Sequence, residues 1–223
     1  MNPQIQVPVL SKNNKIIIIS SVVIFILSSV LAKSANISLD SLLSLSLSGL
    51  LNGKVWSLFT FAFTPQGLSG ALFGSLIIWF IGSELERLWG PKRYLSYILS
   101  IVLGGALIFL LVSVLLGQTA FPFVAYSGLG GAMCVSYGVL FPERTLYLVI
   151  FPVKGKYFSL ILIAMSLYSG IFSPGGILAW GQLGMYLSAF LWMFFITKKS
   201  GKKDGEKSFL KKSSKKNHLK IVH

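Results

Sequence analysis

Six stretches of this chain are apolar almost without interruption: about Ile16–Leu31, Leu68–Gly82, Tyr94–Leu115, Phe121–Phe141, Tyr157–Phe172 and Ile177–Phe195. A bilayer is crossed by roughly 17–25 consecutive apolar residues in helical form, so each stretch predicts a spanning helix. The second and fifth are short, which predicts a tilted, broken or shielded span. Between the first two stretches the pattern changes. Leucines at 39, 42, 43, 47, 50 and 51 recur at the spacing of one helical face, serines and Asp40 fill most of the rest, and Asn52-Gly53 closes the run as a cap or turn would. That pattern predicts a short amphipathic helix lying in the outer interface rather than crossing it.

Composition agrees with a membrane protein. Of the 223 residues, 54% are hydrophobic and only 12% charged, and the mean hydropathy of +0.76 excludes a soluble domain. Polar residues precede the first stretch and no small-residue cleavage site follows it, so it reads as an anchor rather than a removed signal. Charge predicts orientation. Lys12, Lys15, Arg87, Lys92, Arg93, Arg144, Lys154, Lys156 and ten lysines from Lys198 to Lys220 fall on one side, against Lys33 and Lys54 on the other. Short cytoplasmic loops are enriched in Lys and Arg, so both termini are expected in the cytoplasm.

The expected organisation is a cytoplasmic N-terminus over 1–15, a membrane domain over 16–196 with its first loop, 33–67, outside, and a basic cytoplasmic tail over 197–223. The net charge of +14 lies mostly in that tail. A disordered tail that fixes orientation accounts for it; attraction to anionic lipid headgroups is the sharper alternative. Nucleic-acid binding is disfavoured, because only one aromatic residue, Phe209, stands among the tail's lysines. Cys134, the single cysteine, has no partner for a disulfide or a metal site and is expected to pack. Nothing in the pattern calls for a cofactor.

Several short strings carry a family likeness. Trp56-Ser57-Leu58-Phe59-Thr60 stands in the first loop, and Gly82-Ser83-Glu84-Leu85-Glu86-Arg87-Leu88-Trp89-Gly90 closes the second stretch. Tyr126-Ser127-Gly128 opens the fourth, and Phe141-Pro142 follows it. Phe151-Pro152-Val153-Lys154 precedes the fifth, and Gly181-Gln182-Leu183-Gly184 lies in the sixth. Together they resemble the rhomboid intramembrane serine proteases over about Trp56 to Phe195. That resemblance implies an all-α, six-helix rhomboid-like bundle in the membrane, with an interfacial first loop. It makes Trp56, Gly82, Glu86, Gly90 and Gly184 structural residues. Glycines permit close approach and tight turning, and the Glu86 carboxylate is expected to bond to buried backbone.

The same resemblance assigns the catalytic positions. Ser127 takes the nucleophile position when Ala125-Tyr126-Ser127-Gly128 is aligned with the family's G-x-S-G; when Gly128-Leu129-Gly130-Gly131 is aligned with it instead, that position falls on Gly130. Gln182 stands where the family has the base His, and Gly70 and Gly74 stand where it has polar oxyanion residues. Counting along the helices sets Ser127 six residues into its span and Gln182 five into its own, ~8–9 Å deep in each case. Gly70 and Gly74 read as a small-residue seam for helix packing.

Chemistry then decides the expectation. Serine attacks only when a neighbouring base takes its proton, and an amide has no basic lone pair. Tyr126 and Tyr186 are phenols, poor acceptors near neutral pH, and both histidines, His218 and His223, lie in the tail. Losing one oxyanion donor costs ~100–1,000-fold in rate, and here both are glycine. The expected function is a pseudoprotease that binds or chaperones other membrane proteins through their transmembrane helices. An active intramembrane serine endopeptidase is the alternative. A small transporter or channel fits poorly, because the spans hold few polar groups.

Overall fold

A computed structural model of the chain describes residues 10–34, 38–143, 145–148, 151–173 and 175–195, with the backbone alone at 145–148 and 151–153. The basic tail, the first nine residues and Pro174 of the Pro174-Gly175-Gly176 loop lie outside the described residues.

Helices cover all six apolar stretches. Five are long and apolar enough to cross a bilayer: Lys12–Ser34, Gly67–Trp89, Pro91–Leu115, Gly155–Phe172 and Ile177–Phe195. The helix of the fourth stretch is shorter than the sequence predicts, Tyr126–Leu140, because residues 121–125 are extended. Its 15 residues rise ~22 Å. Taken in chain order, these are the first to sixth long helices.

The second long helix outruns its apolar stretch by seven residues, reaching Trp89 through a π-turn at Ile78–Gly82. Its end is written in the sequence. Gly90 adopts φ +78°, open to glycine, and Pro91 starts the third helix at the position where its missing N–H costs nothing.

The fourth helix is the centre of the molecule. Every residue from Gly128 to Gly138 is buried, with Tyr126, and the second and fifth helices both pack on it. Gly138 lies against Gly155 and Ser159 of the fifth helix, and the Ser159 hydroxyl donates to the Gly155 carbonyl at 3.0 Å. A short antiparallel strand pair, Thr145–Leu148 with Phe151–Lys154, joins these two helices in an otherwise helical chain.

In the first loop the single amphipathic helix does not form. Two five-residue helices, Leu39–Leu43 and Leu47–Leu51, flank Leu45. The Leu45 side chain is fully buried, and its backbone exchanges hydrogen bonds with Phe123 at 2.9 and 2.8 Å. Pairing with Phe123 is incompatible with helical hydrogen bonding at Leu45, so the helix breaks there. Ser46 restarts it, accepting from the Gly49 N–H at 3.1 Å. The turn expected at Asn52-Gly53 is present, with φ +87° at Gly53.

Candidate functional site

The first-loop end of the bundle is built around the entry to the fourth helix. Phe123 is held by Leu45, and the Ala125 N–H donates to the Phe61 carbonyl at 2.9 Å. The rings of Phe61 and Phe109 stack on Phe123 at 5.1 and 4.5 Å. The sixth helix closes on the same ring, since a Cβ at Gly181 would stand 2.5 Å from Phe123. One aromatic column thus joins the first loop, the third, fourth and sixth helices.

That column fixes where Ser127 stands. It is the second residue of the fourth helix, not six residues deep, because residues 121–125 pair with the first loop instead of coiling. Ser127 is exposed, although its neighbours on both sides are buried. It shares a helical face with Gly131, Cys134 and Gly138. The fifth helix occupies that face at Gly138 and at Cys134, whose carbonyl lies 3.3 Å from the Ser159 hydroxyl. Above Cys134 the face is given up to the Tyr186 hydroxyl, 2.5 Å from the place of a Cβ at Gly131.

Gln182 approaches the same spot from the sixth helix. A Cβ at Gly128 would lie 3.3 Å from Gln182 Cγ and 2.9 Å from Met185 Sδ, so Gln182 packs on the residue next to Ser127. No hydrogen bond joins Ser127 to Gln182, and among the described residues Ser127 bonds to no side chain. Gln182 lines a cavity of about 210 Å³ with Leu162, Met165, Ser166, Ser169 and Tyr186. The wall holds hydroxyls and an amide but no imidazole, carboxylate or amine. Such a set can donate and accept hydrogen bonds; it has no group basic enough to deprotonate serine.

The two glycines at the oxyanion positions differ. Gly74 is a close-packing position: a Cβ there would meet the Tyr126 ring at 2.7 Å. Its neighbour Ser75 shares a hydrogen bond of 3.0 Å with the Tyr126 hydroxyl. Gly70 is not part of a seam, since a Cβ there would meet only Gln66 Cβ at 3.8 Å. The Gly130 position of the alternative register is buried against Ile77. Gly184 crosses the third helix closely, 2.8 Å from Ile108 Cβ and 3.0 Å from the Gly104 carbonyl when a Cβ is added.

In the first loop, Trp56 and Thr60 clasp the short helix Leu39–Leu43. The Trp56 indole donates to the Leu42 carbonyl at 3.1 Å and the Thr60 hydroxyl to the Leu43 carbonyl at 2.8 Å. Ser57 is fully buried and donates to the Lys54 carbonyl at 2.6 Å.

At the opposite end, Glu86 is structural in a way the sequence did not suggest. Its carboxylate bonds to side chains and not to backbone. Ser11 Oγ donates to it at 2.5 Å, Asn13 at 2.8 Å and Asn14 at 3.3 Å. Asn14 is fully buried and its carbonyl accepts from the Tyr94 hydroxyl at 2.5 Å. Gly82 leaves the room for this pair: a Cβ there would stand 2.7 Å from Tyr94 Oη and 2.9 Å from Asn14 Oδ1. The available signal was Asn13-Asn14 placed directly before an apolar run, where an unpaired amide is costly.

Compared with known families, residues 15–211 match the family described as "Eukaryotic integral membrane protein (DUF1751)". None of the curated proteins compared with the chain matches it.

Proposed function

The chain belongs to the DUF1751 family of eukaryotic integral membrane proteins, and from that premise we propose that it is a rhomboid-like pseudoprotease. In this reading it binds or chaperones other membrane proteins through their transmembrane helices. The membrane domain is 16–196, with both termini in the cytoplasm and the 33–67 loop outside.

One observation carries the proposal. An exposed Ser127 precedes Gly128, against which Gln182 packs, and the polar cavity that Gln182 lines has in its described walls no proton acceptor stronger than an amide or a hydroxyl. Removing the base of a serine protease costs ~10⁴–10⁶ in turnover. Gly74 and Gly70 bring no side-chain donor for an oxyanion, and at Gly74 the space for one is taken by Tyr126. What remains is a set of hydrogen-bonding groups between apolar helices, near the end of the fourth helix that the fifth leaves open. Polar groups at such a place serve recognition without chemistry, because an unsatisfied polar group on a neighbouring helix is costly in lipid.

The test is a fluorophosphonate probe applied to the protein in its membrane, with Ser127→Ala as control. No labelling is expected. Labelling of the unmodified protein that disappears in Ser127→Ala would overturn the pseudoprotease reading and favour the endopeptidase. Binding is tested by a photo-crosslinker at Ser169, in the polar cavity, against one at Leu107, an exposed position of the third helix. Equal capture of membrane-spanning proteins at both positions would count against a client site.

A further inference from the structure

A second cavity lies among the third, fourth, fifth and sixth helices. It measures about 470 Å³, and Val139, Ile163, Leu167, Trp180, Leu183 and Leu187 form half of its lining. The polar atoms in that wall are turned away. The Ser159 hydroxyl donates to the Gly155 carbonyl, the Trp180 indole donates to the Gly170 carbonyl at 3.1 Å, and the Tyr186 hydroxyl points to Gly131. The groove therefore offers apolar surface alone, at the depth of two helices long enough to cross the bilayer.

Its dimensions select the occupant. Lining residues run from Trp180 to Phe190 along the sixth helix, ~15 Å of rise. That length and an apolar wall suit a single hydrocarbon chain lying along the helices. An empty groove would forfeit the dispersion contacts of its walls.

Charge at one mouth adds the second half of the argument. One turn beyond the lining residue Ser159 stands Lys156, and four residues beyond Val139 stands Glu143. Glu143 bridges Lys156 at 2.5 Å and Lys154 at 2.9 Å. Two ammonium groups on one carboxylate leave an excess positive charge, and all three side chains are exposed.

We propose that this groove holds one acyl chain of an anionic glycerophospholipid, whose phosphate headgroup rests on the Lys154–Glu143–Lys156 cluster. The lipid comes from the leaflet at that end of the bundle and wedges the fifth and sixth helices at the spacing seen. This site is separate from Ser127 and Gln182 and does not depend on the client-binding reading.

Trp180 closes the end of the groove remote from Lys156, so it can report occupancy. The full chain is placed in phosphatidylcholine bilayers with rising fractions of phosphatidylglycerol brominated near the methyl end of its chains. Brominated phosphatidylcholine serves as the reference lipid. The signal of Trp180 is taken as the difference from Trp180→Phe. The anionic bromolipid is expected to half-quench Trp180 at about one-fifth of the fraction the zwitterionic one needs, the ratio a single basic residue at a lipid surface supplies. Lys154→Gln with Lys156→Gln, both exposed, should bring the two lipids to parity. Ile163→Phe, or Val139→Phe if that variant does not fold, should remove quenching by both. Parity in the unmodified protein would reduce the groove to ordinary lipid contact and overturn the proposal, as would a preference that survives loss of both lysines. No quenching by either lipid would mean that a second copy or another membrane helix covers the groove, and would overturn it equally.

Discussion

The ring of Tyr126 lies where a side chain at Gly74 would begin, 2.7 Å from the place of its Cβ. At Gly70, one helical turn away on the same helix, a Cβ would make only an ordinary contact with Gln66 Cβ at 3.8 Å. Packing therefore calls for glycine at position 74 and not at position 70.

Gly74→Ala should destabilise the protein by about 1–3 kcal/mol, the usual cost of forcing a methyl group into a packed site. Gly70→Ala should be neutral or stabilising by up to about 1 kcal/mol, because alanine favours the helix and meets nothing. Thermal unfolding in detergent separates the two. A Gly74→Ala, Tyr126→Leu double variant should recover part of the loss, and strict additivity would show that the ring is not what Gly74 accommodates.

Glu86 holds the start of the first long helix to the end of the second. Glu86→Ala removes the acceptor for Ser11 and Asn13, and hydrogen bonds to a charged group are each worth about 1.5–3 kcal/mol. A loss of about 3 kcal/mol is expected, with faster tryptic cleavage at Lys12. Glu86→Gln retains one acceptor oxygen and should lose roughly half as much. Unchanged cleavage at Lys12 in both variants would show that the first helix is anchored elsewhere.

Glu143 lies outside the long helices and is fully exposed, yet its carboxyl is lowered from the usual 4.5 to about 2, chiefly by hydrogen bonds from Lys156 and then Lys154. A depressed carboxylate stabilises the fold above its unfolded value and loses that contribution as pH falls through its folded one. The window is therefore pH 4.5 down to about 2. In an NMR titration the Glu143 carboxyl should still be ionised at pH 3.5. Lys154→Gln with Lys156→Gln should return its midpoint toward 4.5.

Eighteen of the 20 Lys and Arg fall on one predicted side of the membrane. Reporter fusions at Gln118 and at the C-terminus should therefore report opposite faces. Finding both on one face would remove the orientation assigned to Ser127 and the first loop.

How far the sequence reached can be argued from particular residues. The apolar stretches located the six long helices, and Gly90-Pro91 marked the boundary between the second and third. The match over residues 15–211 agrees with a membrane protein read from composition. Spacing also set Gln182 near the start of the fourth helix, where it lies against Gly128. It misjudged the start of the fourth helix, the first loop and the partners of Glu86.

Hydropathy and helical period are local properties. They mark which segments are long and apolar enough to cross a bilayer and which side chains cannot act as a base, because an amide at position 182 is an amide in any fold. Which glycines are crowded, whether Leu45 coils or pairs with Phe123, and how the fifth helix leaves Ser127 exposed depend on contacts between segments far apart in the chain. In lipid those contacts are decided by close packing and by the satisfaction of backbone and amide groups, and only the tertiary structure carries that information.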